Sequence, residues 1–240
     1  PLLLLCACTA TPSTDEPIAP PPAAVTIRDF RQLVPGPGLP TEIQPMNANN
    51  NLDVTWHNGR ILLAFRSAPT HFADVDTTMY VMSSADEQTW RFEGAFSLGR
   101  DVREPQLVSW KGQLQFYFAR LGTSSIEFEP GGTVWTTYEG PGQWTALQDF
   151  AIDTFIPWRV KSVDGDLQMI GYTGGENVYD MDGDPIQIQW LRSDDGAAWE
   201  PVLPNQPVVY EGGGSETDYV VLDDGTLIAV IRNEAGDNGA

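Results

Sequence analysis

The sequence predicts an all-β protein, a β-propeller of four-stranded blades, because two marks recur along it at similar intervals. A glycine lies between two short β-rich runs with spacings of 53, 53 and 60 residues, at Gly59, Gly112, Gly165 and Gly225. A tryptophan follows each of the first three glycines by 31 to 34 residues, at Trp90, Trp144 and Trp199. Segments of about 50 residues that hold four short strands are the usual repeating unit of propellers. The paired marks therefore predict a ring of blades.

Each repeated glycine predicts a tight hairpin between the first two strands of a blade. The first unit reads TWHNGRILLAFR and the fourth reads VLDDGTLIAVIR, with β-branched and aromatic residues on both sides of the turn. Glycine is favoured in such turns because two-residue hairpin loops need positive φ angles.

A second turn phrase, S-x-D-x-x-x-W, recurs as SADEQTW (84–90) and SDDGAAW (193–199), whereas the second unit keeps only GPGQW. We expect the phrase to join strands three and four, with polar side chains that cap the turn and a tryptophan that packs between sheets. Its residues are therefore predicted to be structural, namely Ser84, Asp86, Trp90, Ser193, Asp195 and Trp199.

The repeat accounts for about three and a half blades over residues 47–240, since the fourth unit stops 15 residues after Gly225. An open arc of blades would leave unpaired strand edges. We therefore expect this propeller to be truncated at its C-terminus, and to have six blades when complete, or alternatively five.

The first 46 residues differ in composition from the rest. PLLLLCAC (1–8) resembles the end of a signal peptide with a bacterial lipobox, in which Cys8 would be lipidated, and an ordinary secretory signal is the alternative. Residues 9–46 form a Pro-rich tether and lead-in. We expect an extracytoplasmic bacterial lipoprotein, membrane-anchored or secreted. It would meet the membrane through its lipid anchor only, because no later run reaches the ~20 apolar residues that span a bilayer.

The charge balance is strongly acidic, with 33 Asp and Glu against 13 Lys and Arg and a net charge of −20. Nucleic acid is therefore excluded as a partner, because its binding depends on neutralising phosphates with basic groups. YDMDGDP (179–185) alternates acidic residues, but Leu191 stands where a calcium loop needs its last carboxylate. We expect a solvated acidic loop there, and neither a metal nor a cofactor.

Charged residues gather on the face opposite the glycine turns. Because strands alternate in direction, the start of strand one and the end of strand two meet on that face, around the mouth of the central channel. It would hold Arg66, Arg103, Glu104, Glu216 and Arg232. FIPWRVK (155–161) would add Trp158 and Arg159 from the third inner strand, where the tryptophan either stacks on a sugar or packs in the core. Unpaired buried charge is costly, so this face is the candidate site. A cross-strand ion pair is the plain alternative for Glu216 and Arg232.

The S-x-D phrases, GRILLAFR and SETDYVVLDDGTLIAVIR together resemble the sialidase (neuraminidase) superfamily, whose structural turn is the Asp-box. The resemblance implies a glycoside hydrolase that acts on the acidic sugar of a sialylated or otherwise acidic glycan, with Arg232 binding the substrate carboxylate. Glu216 would polarise a tyrosine nucleophile, and Asp74, preferred over Asp76, would be the acid/base. The Arg-Ile-Pro phrase of the family is replaced by NANNNLD, so Arg66 or Arg103 would have to substitute.

Two other functions remain open from the sequence. A five-bladed glycosidase of the arabinanase and fructosidase type would use a ring of carboxylates, for which Asp53, Glu104 and Glu216 are the candidates. A non-catalytic propeller that binds glycan or protein through the same face is the third hypothesis. All three place the site on the same face, at the channel mouth.

Overall fold

The computed structural model describes residues 26–27, 30–126, 129–174 and 185–233. The chain divides into two units, Pro1–Gln32 and Leu33–Ala240, and all the strands belong to the second. The predicted signal peptide and lipidation site at Cys8, most of the tether, and the acidic loop around residues 179–184 lie outside the described residues. The described part contains β-strands and no helix, so it holds no helix that could span a membrane.

Within the described residues, sixteen strands form four antiparallel sheets in chain order. Blade 1 is built of β1 (Ala48–His57), β2 (Arg60–Ala68), β3 (Thr78–Ser84) and β4 (Trp90–Phe96). Blade 2 is built of β5 (Val102–Trp110), β6 (Gln113–Arg120), β7 (Thr133–Gly140) and β8 (Gln143–Trp144), and β9 (Gln148–Asp149) also pairs with β7. Blade 3 is built of β10 (Ile156–Val163), β11 (Asp166–Thr173), β12 (Ile186–Ser193) and β13 (Glu200–Pro201), and β14 (Val208–Gly212) also pairs with β12. Blade 4 contributes β15 (Gly214–Val221) and β16 (Leu227–Asn233).

The sheets are arranged as the sequence predicted. The first strand of each blade contacts the first strand of the next, β1 against β5, β5 against β10, and β10 against β15. Within each sheet the strands follow one another in order, which is the meander of a propeller blade. The predicted fold class, a β-propeller with about three and a half blades, is therefore confirmed.

The repeated glycines lie in the predicted hairpin turns. Gly59, Gly112 and Gly165 have φ angles of 76°, 78° and 92°, and the residue before each also has a positive φ. Two successive positive φ angles define a type I′ turn, whose twist matches that of the flanking strands. A side chain at these glycines would strain the turn, which explains their recurrence.

The Asp-box phrases cap turns with their carboxylates. Asp86 Oδ1 accepts hydrogen bonds from the backbone N–H of Gln88 (2.9 Å) and Thr89 (2.7 Å), and from Ser84 Oγ (3.0 Å). These bonds favour the ionised form and lower the pKa of Asp86 to about 2. Asp195 makes the same set of bonds in blade 3. Their structural role is confirmed.

Apolar clusters fill the space between successive blades. One lies between blades 1 and 2 around Phe116, a second between blades 2 and 3 around Met169, and a third between blades 3 and 4 around Ile188. Trp199 packs its ring against Tyr117 of blade 2, so the Asp-box tryptophan joins two blades. These clusters fix the inner strands, and with them the channel mouth.

Candidate functional site

Every innermost strand carries a β-bulge near its start, on the face opposite the glycine turns. The pairing register breaks between Asn50 and Leu52, between Arg103 and Gln106, between Pro157 and Arg159, and between Gly214 and Thr217. The residues left over by these breaks include Asn51, Glu104, Trp158 and Glu216. A bulge re-aims a side chain out of the sheet, and bulges are frequent beside active sites. A β-bulge therefore recurs near the start of the innermost strand in all four blades.

Two of the bulge residues have backbone angles that are unusual for their type. Asn51 has a φ of 44° and Glu104 a φ of 52°. Asparagine tolerates this left-handed region, whereas glutamate seldom occupies it. Such local strain persists only where the surrounding structure imposes it, and it concentrates at functional sites.

The bulges of blades 1, 2 and 4 open onto a cleft of about 390 Å³. Its lining comes from the inner strands of blades 1, 2 and 4, from β16 and from the loops that follow β2 and β6. The lining residues are Asn51, His71, Phe72, Ala73, Arg103, Glu104, Leu121, Ser125, Ile126, Glu216 and Arg232. Four residues that the sequence singled out, Arg103, Glu104, Glu216 and Arg232, thus share one cleft.

Glu104 is a partly buried carboxyl group held by an amide. Asn51 Nδ2 donates to both carboxylate oxygens of Glu104, at 2.8 and 3.0 Å. Burial raises the pKa of Glu104 to about 7; the Asn51 bond opposes this rise, and the nearby charge of Glu216 adds to it. A carboxyl group with such a pKa is protonated in about half of the molecules at neutral pH, so Glu104 can donate a proton.

Glu216 has the opposite environment. Arg232 Nη1 lies 2.6 Å from Glu216 Oε1, and the two side chains are 51% and 27% exposed respectively. A guanidinium group at this distance favours the ionised carboxylate. The cross-strand ion pair that the sequence left open is therefore present, and it lines the cleft.

Arg66 is completely buried and does not line the cleft. Its Nε donates to Asp101 Oδ1 at 2.8 Å, and its Nη groups donate to the carbonyl oxygens of Thr70 (3.2 Å) and Phe72 (2.9 Å). The structure thus places this predicted substrate-binding residue beneath the loop after β2, where it holds backbone carbonyls.

Arg103 reaches the cleft and is oriented by the same carboxylate. Its Nε donates to the second oxygen of Asp101, and its Nη2 donates to the carbonyl oxygen of His71. Asn50 Nδ2 lies 2.7 Å from Nδ1 of the His71 ring. Burial, followed by the Arg103 charge, lowers the pKa of His71, so its neutral ring can accept this bond.

Asp74, the predicted acid/base, closes a turn. Its Oδ1 accepts the backbone N–H of Asp76 at 2.9 Å, and its carbonyl oxygen accepts the hydroxyl of Thr77 at 2.8 Å. Neither Asp74 nor Asp76 lines the cleft. The structure therefore does not bring Asp74 together with the other predicted catalytic residues.

Asp53 and Arg159 lie further along the inner strands and join blades to one another. Asp53 Oδ2 accepts the backbone N–H of Leu107 at 2.6 Å, and its Oδ1 pairs with Arg159 Nη1 at 3.1 Å. Burial raises the pKa of Asp53, although both partners oppose the rise. Trp158 packs against the apolar cluster between blades 3 and 4. These three residues are not part of the cleft lining.

Asn51, His71, Phe72 and Ile126 line the cleft but were not predicted as site residues. The repeat contained a signal for Asn51, which precedes Gly59 by eight residues just as Glu104 precedes Gly112. Phe72 and Ile126 carry no comparable mark, because their loops have no periodic pattern. Among the described residues, no group of His, Cys, Asp or Glu side chains is arranged to hold a metal ion.

Comparison with known families and curated proteins finds no match. Among solved structures, a protein of unknown function from Dyadobacter fermentans is similar over 77% of this chain and 62% of its own, with a TM-score of 0.57 and 17% identity. A family 117 glycoside hydrolase from Zobellia galactanivorans is similar over 79% of this chain and 64% of its own, with a TM-score of 0.56 and 17% identity. A family 32 β-fructofuranosidase from Bombyx mori is similar over 78% of this chain and 41% of its own, with a TM-score of 0.54 and 12% identity.

These likenesses show the β-propeller fold. At such low identity they carry no residue role to this chain. The chain also spans less than two thirds of the length of each of the three structures.

Proposed function

We propose that this chain is part of a glycoside hydrolase in which Glu104 and Glu216 are the two catalytic carboxyl groups. One observation carries the proposal: two carboxyl groups share one cleft, and their surroundings favour opposite protonation states. Burial favours protonated Glu104, and the Arg232 ion pair favours ionised Glu216. A pair of carboxyl groups whose environments separate their pKa values is typical of glycosidases.

Each group would have one task in the reaction. Glu104 would donate its proton to the oxygen of the leaving sugar as the glycosidic bond breaks. Glu216 would stabilise the positive charge that develops at the anomeric carbon. Water would then bond to that carbon in place of the leaving sugar and give up a proton to one of the two carboxylates. Asn51 would hold the Glu104 carboxyl group in place in both its protonated and its ionised form, because the amide can donate to either oxygen.

A neutral sugar suits the charges of this cleft. Both guanidinium groups of the lining already pair with a protein carboxylate: Arg103 pairs with Asp101, which it shares with the buried Arg66, and Arg232 pairs with Glu216. This pattern supports the carboxylate-based glycosidase, the type of the arabinanases and fructosidases. Of the three carboxylates predicted for that type, Asp53 would connect blades, and only Glu104 and Glu216 would act on the substrate. Two of the similar solved structures are named as glycoside hydrolases, which agrees with this class.

A second candidate is the sialidase-like reaction on an acidic sugar. The observation in its favour is that two guanidinium groups, of Arg103 and Arg232, line the cleft. In this reaction Arg232 would exchange Glu216 for the carboxylate of the substrate. The extracytoplasmic location and the lipid anchor at Cys8 stay predictions under either candidate.

The proposal is tested by hydrolysis of chromogenic α-L-arabinofuranosides and sialosides and of sucrose by the full-length protein. We expect Glu104→Gln to lose at least ~100-fold on a substrate whose leaving group needs a proton, such as sucrose, the usual range for removing an acid/base group. We expect Glu216→Gln to lose as much on every substrate that the parent hydrolyses. Glu211→Gln is the matched control, because Glu211 is exposed on β14, accepts a hydrogen bond from Gln187 Nε2 at 2.8 Å and does not line the cleft. Release from the sialoside alone would favour the second candidate.

Retention of full activity by both variants would contradict the proposed roles. Binding of these sugars without any hydrolysis would instead support the non-catalytic propeller.

A further inference from the structure

We propose that Phe72 and Ile126 form an apolar wall that binds the ring of the leaving sugar, so that the enzyme prefers a chain of sugars over a single glycoside. This inference rests on the proposed function, since it assigns the leaving-group side of the same cleft. Its physical basis is the exposure of the two side chains, their place in the same cleft as Glu104, and the way the loop that carries Phe72 is held.

The wall is an exposed apolar surface inside an otherwise charged cleft. Phe72 is 62% exposed and Ile126 is 87% exposed, although both are large apolar side chains. Phe72 comes from the loop between β2 and β3 and Ile126 from the loop between β6 and β7. Ala73 and Leu121, from the same two loops, also line the cleft. Exposed apolar groups collected in a cleft indicate a ligand that covers them.

The Phe72 side of the wall is held in place before a ligand arrives. The buried guanidinium group of Arg66 donates to the carbonyl oxygens of Thr70 and Phe72, on both sides of His71. Arg103 donates to the carbonyl oxygen of His71 itself. Three successive residues of the loop are thereby tied to the Arg66–Asp101 ion pair. A surface ordered in this way loses little further freedom on binding.

The wall comes from blades 1 and 2, and the proposed acid comes from blade 2. Phe72 and Ile126 belong to blades 1 and 2, and Glu104 belongs to blade 2, whereas Glu216 and Arg232 belong to blade 4. In glycoside hydrolysis the acid protonates the oxygen that leaves, so the leaving sugar lies beside the acid. Sugar rings present an apolar face of C–H groups that packs against an aromatic ring. A second sugar ring therefore fits this wall.

Binding of paired mono- and disaccharides tests the wall without depending on turnover. The full-length protein carrying Glu104→Gln, which slows hydrolysis, is titrated with arabinose and arabinobiose, and with fructose and sucrose. We expect at least one disaccharide to bind more tightly than its monosaccharide. We expect Phe72→Ala to weaken disaccharide binding about tenfold, as for loss of one aromatic contact, and to leave monosaccharide binding unchanged.

Val75→Ala is the matched control, because Val75 is 46% exposed in the same loop but does not line the cleft. The wall is refuted if Val75→Ala and Phe72→Ala have equal effects, or if no disaccharide binds more tightly than its monosaccharide. Preferential disaccharide binding by a protein that shows no hydrolysis before the Glu104 change would contradict the proposed function and leave the wall supported. The two failures are therefore distinguishable.

Discussion

At the scale of single residues, the ionisation of Glu104 results from a balance between burial and one amide. Burial raises its pKa to about 7, while the hydrogen bonds from Asn51 favour the charged form and limit the rise. If Glu104 is the acid, hydrolysis requires its protonated form. We therefore expect the rate to fall as the pH rises through about 7.

Removal of the Asn51 amide should move this alkaline limit to higher pH. Asn51→Gly deletes both hydrogen bonds to Glu104 and keeps a backbone that tolerates the φ of 44°. Without the donor the ionised form is less stable, so the pKa of Glu104 rises. The pH profile of kcat/KM measures the shift.

Asn58→Gly is the matched control for Asn51→Gly, since Asn58 has a similar φ of 46° but lies in the β1–β2 turn. If the alkaline limit of kcat/KM moved equally in both variants, or moved to lower pH in Asn51→Gly, then the Asn51 amide would not be what limits the pKa of Glu104.

At the scale of elements, the Asp-box turns depend on carboxylates that cap backbone N–H groups. Asp195 accepts hydrogen bonds from Ala197 and Ala198, both at 2.8 Å, and these bonds lower its pKa below the ordinary value of 3.8. A depressed pKa in the folded state means that the stabilisation is fully present above pH 3.8 and is lost as the pH falls through the lower folded-state pKa.

We expect Asp195→Ala to lower the Tm at neutral pH, and the difference from the parent to shrink in strong acid. The neighbouring Asp194→Ala is the control, because both side chains are exposed and only Asp195 caps the turn. Thermal unfolding at several pH values provides the comparison. Equal Tm losses for the two variants would show that the capping bonds do not stabilise the turn.

At the scale of the whole molecule, ion pairs along the inner strands connect the blades. Asp53 of blade 1 binds the Leu107 backbone of blade 2 and Arg159 of blade 3, and Arg159 lies 3.6 Å from Asp218 of blade 4. Loss of Asp53 would leave the Leu107 N–H without this acceptor and Arg159 with one partner fewer. Both effects weaken the contacts between blades.

We expect Asp53→Ala to lower the free energy of unfolding by about 2–4 kcal/mol, the range for a buried group whose removal leaves its partners unsatisfied. Asp149→Ala, which removes an exposed ion pair with Arg120, should cost less than about 1 kcal/mol. Urea unfolding of the full-length variants measures both values. Equal losses would mean that the Asp53 contacts add nothing beyond a surface pair.

Features formed by residues close together in the sequence were predictable, and features formed by residues far apart were not. The glycine turns and Asp-boxes are local, so their patterns identified them correctly. Strand alternation placed Arg103, Glu104, Glu216 and Arg232 on one face, and the structure brings them into one cleft.

Features that depend on contacts between distant segments were not predictable. Arg66 is buried because Asp101, from the following blade, pairs with it. The bulges depend on the register between strands, and a one-residue change of register is not visible in composition. Phe72 and Ile126 share the cleft only because two loops of different blades converge on it.

The most direct test of the central claim is the dependence of Glu104→Gln on the leaving group. Rates are compared between a 2,4-dinitrophenyl glycoside, whose leaving group needs no proton, and the disaccharide of the same sugar. If Glu104 is the acid, the variant should lose at least ~100-fold on the disaccharide and less than about tenfold on the dinitrophenyl glycoside. Equal losses on the two substrates, or no loss on the disaccharide, would contradict the account.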